Sequence, residues 1–416
     1  MRCCLKTVEL ETSPFSVTWT NYPCKLLEVY ENTDNFYEWS IDGVNYVTAF
    51  DHPTISGLYP GTEYTVYIRT NGASEPFYTE KITTVDANGV ESEYLADEAA
   101  NIVHVDTAFK HNCEFSSNIA MHYVVPKTDF EGMNNIRLMV SKEVYSGGST
   151  EPAYKNTIIT SYSETKVGDT EMYEFIFHGI TSVDMPSNIY ASVYADKDGK
   201  SYISQVDKFS VKEFAMNRLQ KSASSSFKKL LVDMLNYGAA AQKHFSINTA
   251  NLANASLTSA QKKLGTQTDY TPVSHESVKT LSGAAASFNG KNLQFDTNII
   301  LMYRLKMAGS QNMSKVKLVC KYTRFDGVDV TVSIPASELT KSGEYYLASF
   351  SSLCIPDLRS VVSATIYDGS KAISDTLNYS VETYVYNRLQ NSTSTTYKTL
   401  LKKMMNYSVS AEEHFG

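Results

Sequence analysis

The stretch NYGAAAQKHF, Asn236 to Phe245, returns as NYSVSAEEHF at Asn406 to Phe415. At an offset of 170 residues, SVKEFAMNRLQKSASSSFKKLLVDMLNYGAAAQKHF aligns without a gap with SVETYVYNRLQNSTSTTYKTLLKKMMNYSVSAEEHF. A match of this length at one offset is a duplication, and it requires both copies to fold as the same unit. Further upstream the offset becomes 180, where SSNIAMHYVV meets DTNIILMYRL and Met133, Ile136 and Leu138 meet Met313, Val316 and Leu318. Loops of different length therefore separate equivalent elements.

Each unit opens with β patterning. Ile119, Met121 and Tyr123 alternate with their neighbours, as do Ile299, Leu301 and Tyr303, which places one face of each strand on a core. Asp198-Gly199, Asp368-Gly369 and Asp326-Gly327 are turn signals. Each unit closes in a helical pattern. Val211, Phe214, Ala215, Arg218 and Leu219 fall at helical spacing, and Val381, Tyr384, Val385, Arg388 and Leu389 repeat it. The Ser/Thr-rich breaks KSASSS and NSTSTT then offer hydroxyl N-caps to a second helix. Its apolar stripe is Phe227, Leu230, Leu231, Met234, Gly238, Ala241 and Phe245, mirrored by Tyr397, Leu400, Leu401, Met404, Ser408, Ala411 and Phe415. The expectation is an αα-hairpin packed on its own unit's sheet. Gly238 and Ala241 permit close approach to a neighbour, while His244 and His414 stand in the last turn near free carbonyls.

The chain is thus expected to be mainly β with α-hairpins, a multidomain string of sandwiches. The divisions are 1–87, a sandwich; 88–97, a linker; 98–248, the first unit; 249–272, a polar linker; and 273–416, the second unit. A length of 416 residues suits two or three domains.

Residues 1–87 contain FSVTWTN, FYEWSIDG and ISGLYPGTEYTVYIRTNG, short alternating strands at sandwich spacing. Leu58, Pro60, Gly61, Thr62 and Tyr64 resemble the fibronectin type III signature around its tyrosine corner, and Trp19 resembles the tryptophan of that family's second strand. The resemblance implies a module that spaces or binds and carries no catalytic residues. The repeat, through NRLQ, LLVDMLNYGAAAQKHF and NTANLANASLTSAQKKLGT, is similar to a unit of surface and secreted proteins of gut Firmicutes. That family has no assigned activity, so the resemblance implies an extracellular setting and a display role. Those proteins begin with a signal peptide, whereas MRCCLKTVELETSPF carries charges at Arg2, Lys6, Glu9 and Glu11 and no apolar run of signal length. The expectation is a phage virion protein for decoration, head fibre or adhesion, with a bacterial surface adhesin or carbohydrate-binding accessory module as the alternative.

A net charge of −8 argues against a nucleic-acid partner, since binding phosphate needs clustered Lys and Arg. No segment approaches the length of a membrane-spanning helix. The hairpin's Lys228, Lys229 and Lys243 suggest a helix-turn-helix, but Lys402 and Lys403 are offset by Glu412 and Glu413, and no Arg or Asn cluster opens the second helix. The cysteines, Cys3, Cys4, Cys24, Cys113, Cys320 and Cys354, show no metal-ligand spacing and do not recur with the repeat, so free thiols are expected, not disulfides or zinc. Asp196-x-Asp198 resembles a calcium-loop opening, yet Lys200 and Asp207 occupy ligand positions, so a hairpin turn is expected. No nucleophile elbow, zinc-protease motif or phosphate loop is present, and the aligned copies share few acids, only Asp198 with Asp368 and, one position apart, Glu213 with Glu382. No enzyme, cofactor or metal is expected.

The 29 tyrosines suit strands and contact faces alike. The second copy gains Tyr322 for Lys142, Tyr345 for Met172 and Tyr386 for Met216, which makes these three the candidate binding residues, for a glycan or host surface. Drift among strand-compatible residues explains the same changes. The expected partners are other virion or surface proteins, met through residues 1–87, and an oligomer is left open.

Overall fold

The computed structural model describes residues 102–416 except 116–117, 150, 222–223, 296–297 and 310–311, and before them 8, 10–12, 16–19, 37–49, 54–56, 58, 62–70 and 73–84. Cys3, Cys4, Cys24, Pro60, Gly61 and the expected linker at 88–97 lie outside the described residues.

The N-terminal part builds two antiparallel sheets. Leu10–Thr12, Ser16–Trp19 and Thr54–Ser56 form one, and Val47–Thr48, Tyr37–Ser40, Glu63–Thr70 and Tyr78–Thr83 form the other. Alternation within these strands turns Val17, Trp19, Tyr37, Trp39, Val66 and Ile68 into a separate core, joined by Ala49 and Leu58. The tryptophan and leucine singled out in the sequence are both in that core.

Both repeat units are two-sheet β structures followed by helices. In the first, one sheet orders Ser163–Val167, Thr170–Ile180, Ile119–Pro126 and Lys110–Phe115. The other orders Ala153–Ile159, Asn134–Val144, Ile189–Lys197, Lys200–Ser204 and Ile102–Val105, with Asp207–Phe209 also paired to Ile189–Lys197. In the second unit Ala286–Phe295, Ile299–Met307, Tyr345–Phe350 and Thr340–Ser342 face a sheet of Ser277–Lys279, Lys371–Tyr379, Val362–Asp368, Val316–Thr323 and Asp329–Pro335. Met121, Tyr123, Leu301 and Tyr303 are all buried, as the alternation requires. The duplication is inexact at the edge. Ile102–Val105 runs parallel to its neighbour, whereas Ser277–Lys279 runs antiparallel to Lys371–Tyr379. Asp198-Gly199 is a two-residue hairpin turn, both φ values positive and Lys197 paired with Lys200.

The helices are α1 (Val211–Gln220), α2 (Ser225–Phe245), a short α3 (Ser259–Lys262), α4 (Val381–Asn391) and α5 (Thr395–Phe415). The hydroxyl caps fall where expected, Ser224 accepting from Phe227 N and Ser394 from Tyr397 N. α1 and α4 pack on their own units, with Phe214 5.7 Å from Phe115 between ring centres. The long helices behave differently. α2 is buried on nearly every side between Leu230 and Gln242, not along one stripe, because it lies between its own unit and α5. The stripe's last members, Phe245 and Phe415, are exposed. The result is one continuous hydrophobic core running through both units and both hairpins.

Cys113 and Cys320 are buried free thiols in that core, and Cys354 is a half-buried one. Burial raises the Cys320 thiol to about 12 and pushes Cys113 up in the same way, so neither is a nucleophile at neutral pH. Alkylation in denaturant without reductant should modify all six cysteines of the chain, as intact mass would show. A shortfall of two or more would mean disulfides.

Candidate functional site

The repeated motif builds the junction between the units. α2 and α5 run antiparallel about a local dyad, where the rings of Tyr237 and Tyr407 stack at 5.9 Å and 24°. These are equivalent residues of the two copies, so each motif meets its own duplicate. Burial pushes the Tyr237 phenol up to about 12, and Tyr407 further in the same direction. On either side the contacts repeat: His244 Nδ1 lies 3.3 Å from Thr396 Oγ1, and His414 Nδ1 lies 3.2 Å from Ser226 Oγ. His244 and His414 therefore engage the opposite hairpin's hydroxyls across the dyad, in addition to standing in the last turns of their own helices. Lys229 pairs with Glu413 across the same junction, and Ser410 donates to the buried Asp233. A cleft of about 30 Å³ on the dyad, lined by Asn118, Ile119, Tyr237 and their counterparts Asn298, Ile299 and Tyr407, has room for water.

The stretch 249–272, expected as a polar linker between the units, is tied to both long helices. Gln242, fully buried, donates to the carbonyls of Asn248 and Asn251 and accepts from Ala253 N at 2.8 Å. Gly238 allows the close approach: a Cβ there would stand 3.1 Å from Ala253 Cβ and from Ser182 O. Asn236 bonds Asn254 at 2.9 Å, and its duplicate Asn406 accepts from Tyr270 N, also at 2.9 Å. Asp233 accepts from Thr266 N and Thr266 Oγ1 at 2.9 and 2.6 Å. Its duplicate Lys403 holds Asp269 at 2.7 Å. Asp269 is held below the usual carboxylate range: its bonds from Lys403 and Asn406 and the charges of Lys403 and Lys402 outweigh the opposing effect of burial. Glu382, fully buried, accepts from Tyr270 Oη at 2.7 Å and Val273 N at 3.1 Å. Polar residues outside the apolar stripe therefore bind the connecting chain.

The three candidate tyrosines do not share a face. Tyr322 is 7% exposed, packs edge-on against Phe350 and donates to Ser352 O at 2.9 Å, so it is removed from the surface-binding set. It replaces Lys142, which is itself buried and paired with Asp184 at 2.5 Å; the exchange is between two interior arrangements. Tyr345 is half-buried in the opposite sheet, with the Arg304 guanidinium 3.6 Å above its ring. Tyr386, on α4, is exposed.

A tyrosine cluster that sequence reasoning missed lies in the first unit. Tyr190, Tyr194, Met139 and Ile203 form a second buried cluster, with Tyr154 against it, on the sheet face opposite the core. Glu143 accepts there from Asn188 N, Asn188 Nδ2 and Tyr190 Oη, at 2.9, 2.8 and 3.2 Å. The signal was available: Tyr190, Ser192 and Tyr194 alternate with Ile189, Ala191 and Val193, a strand with large side chains on both faces. Asp196, which opens the stretch expected to be a hairpin turn and not a calcium loop, accepts from Asn135 and Arg137. Among the described residues no group of three His, Cys, Asp or Glu side chains is placed to hold a metal.

No family model matches the chain, and no curated protein matches it. Among solved structures it is similar to the FN1–FN3 domains of chicken CNTN1, at 12% identity and a TM-score of 0.17, over 90% of this chain and 96% of that one. A score of that size carries no argument about fold or function.

Proposed function

We propose that the chain is a non-enzymatic structural protein of a phage particle, in which two duplicated units act as one stiff body and the N-terminal sandwich attaches it. The observation that supports a structural role is the continuous core through both units, reinforced by a connecting chain tied to α2 and α5. Such a join resists bending, which suits a display element. The acids at the junction support the same reading, since Asp233 and Glu382 are committed to hydrogen bonds that hold the connection. Binding of a glycan or host surface is a weaker activity of this body, with Tyr345 and Tyr386 as its remaining candidates.

The test is proteomic. Purified particles from the producing host should contain the protein in stoichiometric amounts, and deletion of residues 1–87 should release it from them. Recovery on the bacterial surface, with none on particles, would overturn the virion assignment in favour of an adhesin.

A further inference from the structure

The crossed histidines lie at the first turns of the opposite helices. Thr396 and Ser226 are the second residues of α5 and α2, where unpaired N–H groups concentrate partial positive charge. The His244 ring lies 4.9 Å from Tyr397, and the His414 ring stacks on Phe227 at 5.0 Å. We propose that this pair is an acid-sensitive clasp, which holds the two units together while both imidazoles are neutral and loosens as they take up protons.

An imidazolium at either site meets the positive end of a helix. Burial acts in the same direction, holding both groups below the ordinary histidine value. The rings of Tyr397 and Phe227 attract a cation and oppose this effect, while the carbonyls of each histidine's own last turn favour a cation in the clasped and opened forms alike. Charged groups flank both rings. At His414 these are Glu413, paired with Lys229, and Glu412, paired with Arg359. At His244 they are Lys243, next in sequence, and Arg388, whose charge reaches Tyr397.

The sign follows from linkage. Each clasped histidine binds fewer protons than in the opened form, so the clasp's full strength is present above the ordinary value of about 6.5 and is lost as pH falls below it. At pH 5.5 each histidine favours the opened form by at most about tenfold.

Hydrogen exchange on the full chain at pH 7.5 and 5.5, corrected for intrinsic rates, tests this. Protection in α2 and α5 should fall at least about twofold in acid, while 119–126 and 299–307 keep theirs. In His244→Phe/His414→Phe, which retains the stacking and cannot titrate, protection in the two helices should be equal at both values. If the double variant does not fold, each single variant should show about half the wild-type response on a logarithmic scale. Unchanged protection in the wild type, or an undiminished acid response in the variants, overturns the clasp.

Discussion

Aspartate at Leu231 or at Leu401 is expected to destabilise the protein by about 4 kcal/mol or more, read as a drop in the denaturant midpoint of the repeat units. Both leucines are fully buried at equivalent positions of the paired helices, within the core that the units share. The substitution removes the apolar contacts of a leucine and leaves a carboxylate with no partner in a low-dielectric interior. Because the core is continuous, either change should lower the stability of both units, and exchange should rise in the strands of the unmutated copy as well. A variant that melts like the parent would place these side chains at the surface, and the packing described here would be wrong.

Replacing Asp233 by alanine has the next largest expected effect, about 3 kcal/mol. Asp233 is 1% exposed and accepts three hydrogen bonds, two from Thr266 in the connecting chain and one from Ser410 in α5. Alanine leaves all three donors without that acceptor in a buried site, so the cost is that of unsatisfied groups and exceeds the net value of the bonds themselves. Asparagine should recover part of the loss, because one oxygen still accepts. The accompanying signature is accelerated proteolysis between Asn251 and Tyr270. If cleavage there is unchanged and stability falls by less than about 1 kcal/mol, the connecting chain is not held through this residue.

The strand cores were legible in the sequence because a period of two survives duplication. Ile119, Met121 and Tyr123 recur as Ile299, Leu301 and Tyr303 with the same faces buried. The helices were legible through their period and their hydroxyl caps. Their pairing was not, because it depends on residues whose type points outward. Asn236, Asp233 and Gln242 are polar and lie off the apolar stripe, yet hydrogen bonds to the connecting chain hold Asp233 and Gln242 buried and Asn236 half-buried. The repeated motif carried this information only jointly. Its asparagine anchors the connecting chain, its tyrosine stacks on the dyad, and its histidine crosses to the other hairpin. Each reads as ordinary alone. Tyr322 was misread for a related reason: lysine usually marks a surface, but Lys142 is buried against Asp184, so the exchange conveyed nothing about exposure.

The central claim is that α2 and α5 pair within one chain. Zero-length carbodiimide coupling of the monomeric protein, followed by peptide mapping, addresses it without any substitution. Lys229 and Glu413 form an ion pair across the dyad, 184 residues apart in sequence, and Lys291 with Glu276 provides a control inside the second unit. The account predicts an amide link between Lys229 and Glu413 recovered as readily as the control. Recovery of the Lys291–Glu276 link alone would contradict it.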